Sequence, residues 1–492
     1  SKSKYCKSVQ CNKILWMDKY KPEVAIPTAR DSVLKNGTEV GELAKKIFGN
    51  YINIEFNKDL NIMIEETRKL LKNKPNIITE ASFNYDNNFC SVDILKNNLE
   101  GVEIYEVKSS TEVHDIYLDD ASYQYFVLSN FGLNVKKVCI VYINNQYIRG
   151  KKLEIEKLFN IEDITEIAKS KQDEIRKNIE ITNKYMNEHD KNNEPKEEIG
   201  MKCSKPYKCE FWEYCTRNLP KPNVFDIKGG MHLDKKFEKY YDGKISFNDL
   251  QNENINPKYL EQIDFELNNL QPKIDKDYIK EIIKALNYPL YFLDYETYQV
   301  AIPEIDGTRP YQQLPFQYSL HIIKEEGAAI EHKEFLAEIE DKDFIRHFAE
   351  NLIKDIPDNG SVIIYNRAFE PARNREIAEM YPDLKDELER INCNMIDFLE
   401  PFKQRKYYTK EMQGSASIKY VLPALYQKDS ELDYHNLPVV HNGEEASEAF
   451  LSLKGKSKEK QKEIRNGLLV YCQLDTYAMV KIWMKFKEIL SK

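Results

Sequence analysis

The chain has 492 residues, of which 41% are hydrophobic, 31% charged and 12% aromatic. That composition excludes a disordered chain, and the length exceeds what one core organises, so about three domain-sized blocks are expected. No run approaches 18 consecutive apolar residues, and Ser1-Lys2-Ser3-Lys4-Tyr5-Cys6 lacks a signal-peptide core, so the expectation is a soluble, cytoplasmic protein with no membrane partner.

The net charge of −9 is unevenly spread. Residues 1–225 carry 35 basic and 34 acidic groups, so the acidic excess lies beyond them. Basic clusters at 1–50 and 201–225 are placed to share a surface, and carboxylates concentrated at metal sites leave a negative total compatible with a phosphate substrate.

In chain order, apolar periodicity predicts helices over residues 1–75, as in Val40–Ile47 and Ile62–Leu71. Strands follow at Ile77–Tyr85, Phe89–Leu95, Val102–Lys108 and Val135–Ile143, with a helix at Tyr117–Leu128 before the last of them. Residues 153–200 read as a long charged helical stretch, 201–222 as a Pro-bearing loop and 226–285 as a mostly helical connector. A second α/β block begins at Tyr291, with strands Tyr291–Asp294, Phe316–Ile323 and Val362–Tyr365 and a last helix near 466–490. The expected domains are therefore 1–225, 226–285 and 286–492.

Three groups of residues carry chemistry. In the first, Asp93 interrupts the apolar strand Ser91-Val92-Asp93-Ile94-Leu95, and Glu106 and Lys108 follow two apart on the next strand, where both point to one face. Carboxylates on neighbouring strands suit Mg²⁺ or Mn²⁺, and an adjacent ammonium can orient an attacking water. Glu80 is a candidate further carboxylate. The second group is Cys203, Cys209 and Cys215, three thiols in thirteen residues, with Cys11 as the expected fourth ligand and Cys6 second. A soft thiolate set selects zinc or an iron–sulfur cluster.

The third group begins with Asp294-Tyr295-Glu296, a D-x-E that breaks an apolar strand and places both acids on one side. Asn366-Arg367-Ala368-Phe369-Glu370 follows a second strand, and Tyr471 and Asp475 lie at i and i+4 of a helix. Four acids from three elements can hold two divalent ions about 4 Å apart, with Tyr471 orienting a water. Asp397 reads as a structural acid, and Arg309 and Lys419 suit phosphate contacts.

These patterns carry resemblances. Helix, three strands, helix, strand, with Asp93, Glu106 and Lys108, resembles the PD-(D/E)XK nuclease core. Gln124 in Asp120-Ala121-Ser122-Tyr123-Gln124-Tyr125 is similar to the Gln-bearing motif of RecB-type nucleases, although Leu128 stands where that motif has Tyr. One N-terminal Cys and three after the core resemble the iron–sulfur members of that group. This implies a [4Fe–4S] staple on Cys11, Cys203, Cys209 and Cys215, with a Zn²⁺ staple as the alternative. The third group resembles the DEDDy exonucleases, with Glu370 in place of Asp, and implies an RNase H-like fold. Tyr291–Thr297, Gly307–Ser319 and Gly414–Pro423 together look like a bacterial domain-of-unknown-function family that fuses both nuclease types.

The fold expectation is thus α/β: a PD-(D/E)XK domain with an iron–sulfur staple, a helical connector and a DEDDy exonuclease domain. The functional expectation is a metal-dependent nuclease on nucleic acid, DNA ahead of RNA. Its catalytic set is Asp93, Glu106, Lys108, Asp294, Glu296, Glu370, Tyr471 and Asp475. The alternatives are an exoribonuclease with only the DEDDy site active and a non-catalytic nucleic-acid-binding scaffold.

Overall fold

The computed structural model describes residues 1–27, 31–73, 75–427, 429, 432 and 434–492, the side chains of 31–34 and 435 excepted. Two compact units emerge: residues 1–218 with 300–311, and residues 219–299 with 312–492. The architecture is mixed α/β, and among the described residues no helix is long and apolar enough to cross a membrane.

In the first unit, six strands lie in sequence order in one sheet: β1 (Ile52–Asn53), β2 (Ile77–Tyr85), β3 (Asn88–Asn98), β4 (Gly101–Lys108), β5 (Val135–Ile143) and β6 (Phe159–Asp163). β2, β3 and β4 form an antiparallel meander, and β5 returns parallel to β4 after the helix Asp115–Asn130. The β2–β3 turn places Asp86 and Asn87 at φ of 45° and 61°, the left-handed pair that matches the twist of a two-residue hairpin. One core packs that helix on the sheet through Tyr123, Phe126 and Val127 against Val92, Ile104 and Ile140. The expected continuous helix over 153–200 is interrupted by β6. Its Phe159 is buried and its backbone pairs with the edge of β5, so tertiary burial overrides the helical charge pattern.

Residues 300–311 complete this unit. Ala301 is buried with Ile143, Tyr147 and Phe159. The Arg149 backbone exchanges hydrogen bonds with Gly307 and Thr308, and Tyr311 Oη donates to the Ser109 carbonyl.

In the second unit, β7 (Lys273–Ile274) precedes a five-stranded sheet made of β8 (Leu290–Tyr298), β9 (Leu314–Ile323), β10 (Glu331–Leu336), β11 (Ser361–Ile364) and β12 (Met395–Asp397). β13 (Tyr407–Tyr408) pairs with β7. The strand order is β10-β9-β8-β11-β12: β9 is antiparallel to both β8 and β10, and β11 runs parallel to β8 and β12. Every residue of β9 is buried, as expected of a strand covered on both faces. The helix Lys458–Ser491 packs on β8 and β9. The region expected as a connector, 226–285, lies inside this unit, and its Phe265 and Ile279 share a core with Leu290, Phe292 and Phe486.

Gly360 lets β11 start against β8. A Cβ there would stand 1.9 Å from the Pro289 carbonyl oxygen. The same corner is closed by hydrogen bonds from Ser361 N to Asn287 O (2.8 Å) and from Asn287 N to Ser361 Oγ (2.9 Å). Gly360→Ala is expected to cost about 2 kcal/mol, read from the denaturant midpoint. Gly150→Ala, which meets nothing within 4 Å, should leave that midpoint in place.

Candidate functional site

Strand periodicity does the first work in the second unit. Asp294 and Glu296 alternate with Leu293 and Tyr295 along β8, so the acids face one side while Tyr295 Oη on the other donates to Asn374 Oδ1 (3.0 Å). Glu370 opens the helix Glu370–Met380. The turn before it is fixed by Asp397, whose carboxylate accepts from the backbone N–H groups of Asn366 (3.1 Å), Arg367 (2.9 Å) and Leu399 (2.8 Å). Asp397 therefore has the structural role expected of it. Asn366 is held at φ 131°, a strained backbone that persists because this turn is over-determined.

Tyr471 and Asp475 come from the helix Lys458–Ser491. Gln317 Nε2 donates to Leu468 O (2.9 Å), and Ser319, His321 and Thr476 form a buried hydroxyl–imidazole network (Ser319–Thr476 2.7 Å, His321–Thr476 2.8 Å). That network clamps the helix to β9, directly beside β8, where Asp294 pairs with Ser319 and Glu296 with Gln317.

The result is a pocket of about 210 Å³ lined by Asp294, Glu296, Glu370 and Asp475, with Tyr471 and Asn366 on its wall. Among the described residues lining it, Lys419 is the one cation. Burial and mutual repulsion hold the Asp294 carboxyl well above the usual range; burial and Asp475 do the same to Glu296. Burial pushes Glu370 up to about 8 and Asp475 up to about 6, the latter against a hydrogen bond from Tyr434 Oη to Asp475 Oδ1 (2.7 Å). Glu370 is 2% exposed, and its buried Oε2 meets no hydrogen-bond partner among the described residues. Carboxylates converging in this way, with one Glu370 oxygen left without a partner among the described residues, form a donor set for hard divalent cations such as Mg²⁺ or Mn²⁺.

Sequence reading passed over two residues here. Cys472 puts its Sγ within 4.8 Å of carboxylate oxygens of both Asp294 and Glu296. Tyr434 arrives from a segment with no motif to mark it. Lys419 Nζ donates to His441 O (3.0 Å) and lies 5.3 Å from the Tyr471 ring centre.

In the first unit the structure gathers Glu106 and Lys108 with Gln124 and adds Asp120 and Lys2. Lys108 Nζ donates to Glu106 Oε1 (2.7 Å) and Asp120 Oδ2 (2.6 Å), and Lys2 Nζ donates to Glu106 Oε1 (2.8 Å). Gln124 Nε2 donates to Glu106 Oε2 (2.6 Å) and Asp120 Oδ1 (3.2 Å), so Gln124 reaches the site with Leu128, not Tyr, four residues on. Asp93 Oδ2 accepts from Val107 N (2.8 Å), and burial with Glu106 nearby raises its carboxyl to about 7. Against burial, Lys108 and Lys2 hold Glu106 well below the carboxylate range. Glu80 turns to Lys45 instead (3.2 Å). Both oxygens of Glu106 are engaged by protein donors, so this arrangement does not fit a divalent ion as it stands. Asp120 lies four residues before Gln124 on one helix face and was legible by that spacing; nothing in the sequence marks Lys2.

The cysteines converge as well. Cys11, Cys209 and Cys215 border the cluster of Ile14, Trp16, Met17 and Phe211, and Cys203 is close enough to Cys11 and Cys215 for their charges to interact. Cys209 N donates to Cys203 O (2.8 Å). Among the described residues no three of these thiols lie within 4.8 Å of one another, wider than a single tetrahedral zinc with bonds of about 2.3 Å draws its ligands. Cys6 is separate: its charge interactions are with Asp120, Lys108 and Lys2 of the carboxylate site.

Between about pH 4 and 8 the folded four-acid pocket holds protons that the unfolded chain has released. Stability therefore falls as pH rises through that window. In chelator, the denaturation midpoint is expected to drop from pH 5 to pH 8, and Glu370→Gln should flatten the profile.

The family described as "Domain of unknown function (DUF2779)" matches residues 291–417. That range contains Asp294, Glu296 and Glu370 but not Tyr471 or Asp475. Uncharacterized protein MG366 of Mycoplasma genitalium is 26% identical over 223 residues, 41% of this chain and 32% of its own length. Its Mycoplasma pneumoniae homolog is 24% identical over 230 residues, 43% of this chain and 34% of its own. Uncharacterized protein UU173 of Ureaplasma parvum is 26% identical over 253 residues, 48% and 36% respectively. The chain thus spans about a third of the length of these relatives. No solved structure gives a significant match.

Proposed function

We propose that the protein is a metal-dependent nuclease whose second unit is a 3′–5′ exonuclease acting on DNA. The observation that carries this reading is the convergence of four carboxylates, Asp294 half-buried and Glu296, Glu370 and Asp475 buried, on one pocket with a single lining cation among the described residues. The strand order β10-β9-β8-β11-β12 supports an RNase H-like arrangement, in which acids at the central strand and on the C-terminal helix meet.

Divalent cations held by the four acids would supply the charge that stabilises the pentacovalent phosphate. The chain's own groups do the rest. The Tyr471 hydroxyl, beside Asp475, orients the attacking water. The Lys419 ammonium faces the pocket and meets a non-bridging phosphate oxygen. The substitution of Glu for Asp at 370 adds one methylene, and the free Oε2 of Glu370 points to a carboxylate still reserved for a cation.

In the first unit, three antiparallel strands, a helix and a parallel strand, with Asp93, Glu106, Lys108 and Gln124, support a PD-(D/E)XK reading. Lys108 is placed to contact phosphate. The four thiols of Cys11, Cys203, Cys209 and Cys215, near enough for their charges to interact, support an iron–sulfur staple, with zinc as the alternative. Such a cluster would join the segment after helix Lys2–Gln10 to the 203–215 loop.

On 5′-labelled single-stranded DNA with Mg²⁺ or Mn²⁺, the protein is expected to shorten the strand stepwise from its 3′ end. Asp294→Asn should slow that trimming by roughly a thousandfold, and Lys108→Ala should leave it unchanged. Trimming of RNA alone would transfer the reading to an exoribonuclease, and no cleavage of any substrate would leave a binding scaffold. Protein purified anaerobically should be brown and carry iron with acid-labile sulfide, both lost in Cys203→Ser. A colourless zinc protein would reject the cluster.

A further inference from the structure

The helix Lys458–Ser491 turns one further side chain toward the acids of β8. Leu468, Cys472 and Thr476 stand at i, i+4 and i+8, so they share the helix face that meets the sheet. Both ends of that row are fastened. Gln317 Nε2 donates to Leu468 O (2.9 Å), and the Thr476 hydroxyl bonds to Ser319 (2.7 Å) and His321 (2.8 Å). Cys472 lies between the two fastenings, one turn from each, and is fully buried. Its Sγ makes a weak hydrogen bond to the Asp294 carbonyl, at 3.8 Å. The sulfur, one Asp294 carboxylate oxygen and one Glu296 carboxylate oxygen all lie within 4.8 Å of one another.

Among the described residues this is the one group of three metal-binding side chains close enough to share an ion. A second observation points to a ligand in the same pocket. Glu370 is 2% exposed, lines the cavity beside Asp294 and Glu296, and its buried Oε2 has no partner among the described residues. Buried polar atoms are almost always paired, so this oxygen marks a place where the protein's own donors do not complete the site. The first unit differs, because Lys2, Lys108 and Gln124 occupy both oxygens of Glu106.

The donors gathered here are not all hard. Carboxylate oxygens alone suit Mg²⁺, whereas Zn²⁺, Co²⁺ and Cd²⁺ gain from a sulfur ligand. A thiol that joins a metal does so as the thiolate, its proton leaving as the ion arrives.

We propose that Cys472 determines the metal specificity of this pocket: it gives the Asp294–Glu296 end one sulfur donor, and so a preference for a thiophilic divalent ion of the Zn²⁺ or Co²⁺ kind over Mg²⁺. This deepens the metal-dependent reading of the second unit and rests on it.

The test is cadmium NMR of the full chain, with Cd²⁺ standing in for Zn²⁺, because the shift reports how many sulfurs touch the ion. A resonance in the range of one sulfur among oxygens is expected, apart from the sulfur-rich signal of any ion held by Cys11, Cys203, Cys209 and Cys215. Asp294→Asn should remove it, which assigns it to the pocket even if a Cys472 variant melts early by circular dichroism. Cys472→Ser and Cys472→Ala should each shift it to the all-oxygen range or abolish it. In calorimetry both should weaken Cd²⁺ binding roughly tenfold or more and leave Mg²⁺ binding unchanged, a split that mere loss of packing does not produce. An all-oxygen resonance in the unaltered protein, lost with Asp294→Asn, overturns the role of Cys472 and leaves the metal-dependent reading standing. A one-sulfur resonance that survives both Cys472 variants, or equal weakening of Cd²⁺ and Mg²⁺, has the same meaning. If neither Cd²⁺ nor Mg²⁺ binding responds to Asp294→Asn, both fall.

Discussion

An ionised carboxylate buried without a counter-charge is among the most costly features a fold can carry, and the organisation of both units follows from how that cost is met. In the first unit Glu106 and Asp120 are paired within the protein, with Lys2, Lys108 and Gln124, while burial beside Glu106 raises the Asp93 carboxyl to about 7. In the second, Asp294, Glu296, Glu370 and Asp475 face one another with Lys419 alone on the wall among the described lining residues. The first arrangement is stable as it stands. The second remains protonated above the usual range unless a cation arrives, which ties its charge state, its stability and its proposed chemistry to one event.

Keeping such a pocket open requires a rigid frame, and the second unit supplies it with groups that touch no substrate. The Asp397 carboxylate caps the strained turn before Glu370. Ser319, His321 and Thr476 lock the long C-terminal helix to β9, and Gln317 fastens the same helix one turn earlier. Burial lowers His321 to about 4, so the imidazole stays neutral and the network keeps one hydrogen-bonding pattern across the neutral range. These contacts hold the carboxylates in register despite their repulsion, the Ser319–His321–Thr476 network doing so from full burial.

The first unit shows a different economy. A short N-terminal helix brings Lys2 to the carboxylate site at one end and Cys11 to the thiol group at the other. Its stacked Tyr5–Tyr123 pair joins it to the helix that carries Asp120 and Gln124. Thiol chemistry and carboxylate chemistry are thus linked through nine residues of helix, and the position of that helix matters to both.

The D-x-E of β8, the Glu106–Lys108 pair of β4 and the Tyr471–Asp475 pair were legible because strand and helix periods convert spacing directly into a shared face. The strands β2, β3, β4 and β5 were legible for the same reason, from apolar alternation and β-branched content. Lys2 and Tyr434 join their sites through distant segments, β6 forms where a charge pattern suggests helix, and residues 300–311 complete the first unit although they follow a strand of the second. What the amino-acid order determined by itself was therefore local: which side chains lie on one face of one element. Which elements meet, and whether a buried acid faces an ammonium or another acid, was decided by tertiary packing alone, because Coulomb interaction depends on distance in space and two residues a hundred positions apart carry no mark of their proximity.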